Sequence, residues 1–258
     1  MINQKLKLAI ITGSSKGIGR GIAEAFFEDQ NKNSNWKIIG TSRSSNNELK
    51  QNSNFAEYLC DLMKENTWKD FLDFVENHEF YKNAQEICFV HNFGMTVNDT
   101  VERTNQEDWE RIFYANVTIP FLMTKHFSAK MPSGSSHLYI GSTLSTMAVP
   151  NSCAYTSSKH ALLGLMRCTA IDLASKGIRT NLICPGFTET EMADFVVQCS
   201  SGAAKMEQAK MKEIYKSYSP LKRFLTPKEV GDYVVFLANH ETISGEILHI
   251  NGGFGLVK

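Results

Sequence analysis

The chain has 258 residues, long enough to bury a sizeable core, and its 42% hydrophobic and 21% charged residues are the balance of an ordinary globular protein. Lysine plus arginine and aspartate plus glutamate both number 27, so the formal net charge is zero. That argues against nucleic acid or a membrane surface as the main partner, since both select a basic excess.

"LKLAIIT" (6–12) is a short, β-branched apolar run ending at glycine, the pattern of a strand buried on both faces. "GIGRGIAEAFFED" (17–29) has helical spacing, with Ile18, Ile22, Ala25 and Phe26 on one side. A polar loop leads to a second strand, "WKIIGTS" (36–42). "FAEYLCDL" (55–62) and "EICFVHN" (86–92) read as strands three and four, with a helix around 66–79 between them. Thr104, with Glu107 three residues on, forms a candidate capping box for one long helix reaching residue 130. "SHLYIGS" (136–142) is strand five, 155–175 a helix, and "GIRTNLICP" (177–185) strand six. Thr226-Pro227-Lys228-Glu229 starts a further helix, with proline in its first turn. "GEILHIN" (245–251) closes as strand seven.

Strands alternating with helices predict an α/β fold: one doubly wound, seven-stranded parallel sheet with helices on both faces, in a single domain over 1–258. The stretch 187–219 is polar, partly helical and long for a connection, so it is a candidate lid over a cleft. Six scattered cysteines, with no Cys-x-x-Cys and no clustered histidine, give no metal spacing and suit a reducing cytoplasm. The first residues hold too short an apolar run for a signal peptide, and no stretch approaches the ~18 apolar residues of a membrane span. A cytoplasmic protein is expected.

"TGSSKGIG" (12–19) stands at the turn from strand one into helix one, where a doubly wound sheet binds a dinucleotide. Gly13, Gly17 and Gly19 remove side chains where the backbone turns tightly or approaches a pyrophosphate. The helix start behind them offers free N–H groups and partial positive charge. The stretch after strand two, "GTSRSSNN", carries Arg43 and no acid before Glu48. An acid there would accept the ribose hydroxyls of NAD, whereas a guanidinium pairs with a 2′-phosphate, so Arg43 points to NADP(H).

In "SCAYTSSKHALLGL" (152–165), Tyr155 and Lys159 lie one helical turn apart and share a face. Alone the pair is commonplace. Taken with "TGSSKGIG", "HNFG" (91–94), Asn116, Ser142 and "PGFTETEM" (185–192), it follows the order and spacing of the short-chain dehydrogenases/reductases. The chain resembles that family along essentially its whole length, down to "SGEILHINGG" (244–253).

The resemblance implies that Tyr155 is the acid/base and that Lys159 tunes it and holds the nicotinamide ribose. It implies that Ser142 bonds the substrate carbonyl and that Asn116 binds a water linking Lys159 to solvent. It assigns Gly13, Ser15, Lys16, Gly17, Ile18, Gly19, Asn92, Gly94, Pro185, Gly186, Thr188 and Thr190 to the cofactor. Lys16 matches the NADP-preferring pattern. Asp61 and Leu62 match adenine-lining positions, although Asp61 is equally a strand-end turn acid. Cys153 is expected on the cleft wall near the substrate. Two departures stand out: His91 replaces the family's first asparagine, and Phe93 its small alanine; His91 reads as a structural hydrogen-bonder.

Reducing a ketone leaves an alkoxide that needs a proton, and a tyrosine supplies one. Lowering its ordinary pKa of ~10 by ~3 units takes about 4 kcal/mol. One cation at ~4–5 Å in an effective dielectric of ~20 supplies roughly 3–4 kcal/mol. Lys159 is therefore expected to bring Tyr155 down, with burial opposing it.

Within the family, "GMTVNDT" (94–100), "PGFTETEM" and "ISGEILHINGGFG" most resemble 3-oxoacyl-(acyl-carrier-protein) reductases. That implies a small carbonyl substrate, a β-ketoacyl thioester on acyl carrier protein or CoA, with Lys125, Lys130 and Arg167 as candidate carrier contacts. A different small alcohol, sugar or secondary metabolite is the alternative, and an inactive nucleotide-binding regulator a third reading. A homotetramer built on helices like 106–130 and 155–175 is implied by the resemblance alone.

Overall fold

The computed structural model describes residues 5–30 and 35–255. Seven strands, β1 (Lys7–Thr12), β2 (Trp36–Ser42), β3 (Phe55–Leu59), β4 (Glu86–His91), β5 (Ser136–Ile140), β6 (Arg179–Pro185) and β7 (Ile247–Ile250), form one sheet. Their order is β3-β2-β1-β4-β5-β6-β7, and every pairing is parallel. The chain leaves β1 toward β2 and β3, then returns to β1's other side with β4. The order therefore reverses between β1 and β4, and a crevice opens there at the carboxyl ends of the strands.

Side chains alternate across the sheet as strand geometry requires. Ala9, Ile11 and Ile38 face α1 (Gly17–Gln30) and α9 (Pro227–Asn239), packing with Ile22, Phe26, Val230 and Val234. Leu8, Ile10, Ile39 and Phe89 face the other way, against Phe71 and Val75 of α2 (Glu65–Asn77) and Met123 and Phe127 of α5 (Ile119–Phe127). A third cluster sets Leu162 and Met166 of α6 (Cys153–Ala174) against Tyr139 and Leu182. Gly21 of α1 lies against α9, where an added Cβ would come 2.3 Å from the Pro227 carbonyl carbon. That contact locks the helix behind the glycine loop to the sheet's far half.

Three expectations are corrected. The helix before β5 is not continuous: α4 (Gln106–Phe113) passes into a π turn (Tyr114–Thr118) before α5. Its N-cap is Asn105, whose side chain accepts from the Asp108 N–H, and not Thr104, whose hydroxyl donates to the Thr100 carbonyl. The helix after β3 stops at Asn77, and a short α3 (Glu79–Asn83) follows, capped by the His78 ring. The expected capping box of α9 is present, with Thr226 and Glu229 bonded reciprocally. The stretch 187–219 holds two helices, α7 (Glu191–Ala204) and α8 (Gln208–Ser217). Among the described residues, no helix is long and apolar enough to cross a membrane, and no cluster of side chains could hold a metal ion.

Candidate active site

A cleft of about 1210 Å³ runs along the carboxyl ends of the strands at the switch point. Of the residues expected there, Gly13, Ser15, Lys16, Gly17, Ile18, Arg43, Leu62, Asn92, Gly94, Tyr155, Lys159 and Thr190 line it. Gly19, Asp61, Asn116, Ser142, Cys153, Pro185, Gly186 and Thr188 do not.

The glycine loop is built from its main chain. Gly13 and Gly17 have φ of 71° and 53°, the left-handed region that favours glycine. A Cβ on Gly19 would stand 2.0 Å from the Gly13 carbonyl oxygen, so Gly19 serves the loop's closure, not its lining. Asn92 fixes the far wall, donating from Nδ2 to the carbonyls of Thr12 and Gly13. The Thr12 hydroxyl in turn accepts from the N–H groups of Asn92 and Phe93. Thr12 adjoins the glycine motif, yet nothing local in the sequence marks it as the clamp between β1 and β4.

Charge along the cleft differs in part from the expectation. Arg43 is exposed on its wall and makes no ion pair among the described residues. Lys16 is engaged by Glu191, in the first turn of α7, which reaches across the opening. Arg20 also lines the cleft and pairs with Glu24 and Glu48. Asp61 behaves as the turn acid: its carboxylate accepts from the Met63 N–H, while Cys60 and Leu62 face the cleft.

Tyr155 lies in the first turn of α6, with Lys159 one turn on and buried. The Lys159 ammonium sits 5.6 Å from the Tyr155 ring centroid and donates to the Ile140 carbonyl at 2.9 Å, tying α6 to the end of β5. Ser142 follows β5 and caps the turn Thr143–Ser145, its hydroxyl accepting from the Leu144 N–H. It stands near enough to the Tyr155 phenol to favour its ionised form. Burial pushes the phenol up to about 12, with Ser142 opposing. Burial likewise pushes the Lys159 ammonium down to about 8. Without a bound dinucleotide, desolvation of the phenol outweighs any lowering by Lys159. At neutral pH the phenol keeps its proton, and the ammonium stays largely charged though a weaker base than a free lysine.

Asn116 is buried in the π turn. Its Oδ1 accepts from the Met95 N–H at 2.8 Å, and its Nδ2 donates to the Met95 carbonyl and the Ser158 hydroxyl, each at 2.9 Å. The side chain thus holds the 94–100 loop and α6 together. The π turn, a feature that recurs at functional sites, brings Asn116 to both partners. Cys153 meets the Thr104 hydroxyl at 3.2 Å behind the cleft.

His91 belongs to a buried polar chain. Its Nε2 lies 3.1 Å from His137 Nδ1, and its ring stacks on Tyr139 at 4.4 Å. The His137 Nε2 reaches the Ser128 hydroxyl, and the Thr124 hydroxyl bonds the Tyr139 phenol. Burial holds His91 well below its ordinary value and His137 down to about 3, so both are neutral. Phe93 lines the cleft and packs on the core beside α2 and α5.

A dinucleotide suits this cleft. The first turn of α1 carries no acid to repel a phosphate, and a Cβ on Gly94 would stand 3.7 Å from the Lys159 ammonium, in the space beside it.

Residues 13–255 match a family model described as enoyl-(acyl carrier protein) reductase. The chain belongs to the short-chain dehydrogenase/reductase family. This short-chain dehydrogenase/reductase is 30% identical to the 3-oxoacyl-(acyl-carrier-protein) reductase of Buchnera aphidicola over 258 residues, 96% of each chain. It is 29% identical to the Escherichia coli K12 reductase of that name, over 99% of this chain and 100% of the relative. A solved variant of actinorhodin polyketide ketoreductase with NADPH superposes at a TM-score of 0.86, with 23% identity over 99% of each chain, a likeness of fold. The protein is an oxidoreductase, and its curated relatives point to carbonyl reduction.

Proposed function

We propose that the protein reduces a 3-oxoacyl thioester to its 3-hydroxyacyl form with NADPH. The observation that carries this is the pairing of Tyr155 and Lys159 in a glycine-lined cleft at the switch point, with Ser142 beside the phenol at the turn after β5. When bound there, the dinucleotide supplies the hydride. Gly13, Ser15, Lys16, Gly17, Ile18, Asn92, Gly94 and Thr190 line its channel, and Gly19, Pro185, Gly186 and Thr188 shape the backbone around it. Arg43, unpaired among the described residues, takes the 2′-phosphate; Lys16 joins it once Glu191 releases the ammonium.

The substrate carbonyl accepts from the Ser142 and Tyr155 hydroxyls. As negative charge develops on that oxygen, Tyr155 passes its proton to it. A phenol that holds its proton at neutral pH is in the form a general acid needs. Lys159, still largely an ammonium at neutral pH, stabilises the phenolate left behind and can return a proton to it. Asn116 positions the Met95 loop and Ser158 beside this pair, and its Oδ1, which accepts one bond from Met95, can take a second from a water linking Lys159 to solvent.

The names of the curated relatives support the oxoacyl substrate, carried on acyl carrier protein or CoA. The α7–α8 segment acts as the lid of a single-domain enzyme, which we place in the cytoplasm. Exposed Trp109, Phe121 and Ile171 on α4, α5 and α6 suit a homotetramer interface. Purified protein is mixed with NADPH and acetoacetyl-CoA, simple ketones or aldoses, and absorbance is followed. Fastest turnover of the thioester supports the reading. Fastest turnover of a ketone or sugar replaces the substrate class, and NADPH binding without any turnover replaces the enzyme with a nucleotide-binding regulator.

A further inference from the structure

The chain that carries Arg43 is tied to the glycine loop on both sides of that residue. Before it, at the end of β2, the N–H groups of Gly13 and Ser14 both donate to the Thr41 carbonyl, at 2.7 and 3.1 Å. After it, the Asn46 Nδ2 reaches back to the glycine loop and donates to the Ser15 carbonyl at 2.8 Å. The orientation of that amide follows from its other end, where Oδ1 accepts from the N–H groups of Glu48 and Leu49 at 3.0 and 3.1 Å. The Asn46 N–H is held as well. It donates at 3.3 Å to the carboxylate of Glu57 in β3, a side chain with no exposed surface that also pairs with Lys50. Between these anchors the Ser42 hydroxyl donates to the Ser44 carbonyl at 2.6 Å, and the Ser44 hydroxyl stands 3.5 Å from that of Ser15. Ser15, Lys16, Arg43 and Ser44 line the cleft, whereas Asn46 and Glu57 do not.

We propose that Asn46 is a positioning residue for cofactor choice, holding the Arg43 loop at the distance from the glycine loop that a 2′-phosphate requires. The inference rests on the NADP(H) reading above and adds what sets the geometry of that site. The groups that would grip the phosphate come from two separate segments, Ser15 and Lys16 from one and Arg43 and Ser44 from the other. An arginine on an untethered loop loses backbone and side-chain freedom when it closes on an anion, and that loss weakens binding. Asn46 fixes the backbone beyond Arg43 before any ligand arrives, so less freedom remains to be lost. The turn at Leu49–Gln51 does not account for this side chain. That turn uses only the acceptor Oδ1, which a serine hydroxyl supplies as well. The donor to Ser15 needs the length and the N–H of an amide. Asn46 therefore acts through Ser15 and Arg43 and is no part of the cleft wall itself.

The test compares the wild type with Asn46→Ser, which keeps an acceptor for the turn but is too short to reach Ser15, and with Asn46→Ala, which loses both bonds. Each is titrated by calorimetry with adenosine 2′,5′-bisphosphate and with AMP, two ligands that differ only in the 2′-phosphate. A hydrogen bond to a charged group carries about ten- to a hundredfold in affinity, so a misplaced Arg43 should weaken the bisphosphate about tenfold in both variants, with AMP held within about twofold. An Asn46→Ser protein that binds both ligands as the wild type does would show that the amide serves the turn alone, and overturns the inference. Equal weakening of the two ligands assigns Asn46 to the glycine loop as a whole and overturns it too. A wild type that binds AMP as tightly as the bisphosphate overturns the NADP(H) reading, and this inference with it.

Discussion

Acidification from pH 7.5 to pH 5 should cost this protein about 4 kcal/mol of stability, because of two histidines outside its chemistry. His91 and His137 are fully buried, share a hydrogen bond at 3.1 Å, and are both held below their ordinary values. The groups packed on them, Phe89, Thr124, Ser128 and Tyr139, are uncharged, so no carboxylate offsets a proton. The unfolded chain takes up protons near pH ~6.5, while folded His137 resists until about 3. Stability from such a group is fully present above the unfolded pKa and falls as pH drops below it. At pH ~5 the loss is RT ln(1 + 10^1.5), about 2 kcal/mol per histidine, and about 4 for the pair. His78, lowered mainly by burial, adds to the loss with the same sign. Against a typical total of about 5–15 kcal/mol this is a large fraction. Urea unfolding followed by circular dichroism across that pH range measures it. His137→Asn keeps a polar group toward His91, removes one titration, and should halve the slope. A flat profile between those pH values, or an unchanged slope in the variant, refutes the argument that burial keeps the pair neutral.

Two further substitutions test the cleft. Arg43→Ala removes the exposed guanidinium and should raise the KM for NADPH about 10- to 100-fold, the value of a charge-assisted bond, with the KM for NADH unchanged; equal effects on both would detach Arg43 from the 2′-phosphate. Gly19→Ala drives a Cβ into the Gly13 carbonyl oxygen, so scanning calorimetry should show a Tm lower by roughly 3–10 °C, with NADPH binding weakened as well. An unmoved Tm would mean the loop tolerates another course.

The sheet was legible because its strands are short, β-branched runs punctuated by glycine and polar turns, and parallel strands buried on both faces need no partner to be recognised. Tyr155 and Lys159 were legible because both lie on one helix. What depended on residues far apart was not. The π turn of α4–α5 reflects Asn116 bonding Met95 and Ser158, neither of which lies within a helical turn of it. Lys16 meets Glu191 only once α7 folds over the loop, so its pairing could not be read beside the glycines. His91 stood out as a departure, but its partner His137 lies on another strand, and neither ring announces a buried pair. The direction of the Tyr155 shift is not legible because a sequence shows the cation one turn away and does not show that the phenol is desolvated.

In the proposed reaction the Tyr155 hydroxyl delivers the proton to the reduced carbonyl. Tyr155→Phe removes that hydroxyl and keeps the ring's packing. The direct measurement is its kcat with NADPH and acetoacetyl-CoA, beside the NADPH Kd from fluorescence titration. Loss of general acid catalysis predicts a kcat lower by about 10²–10⁴, with Kd within about threefold of wild type. A variant that binds NADPH normally and still turns over near the wild-type rate would contradict the account.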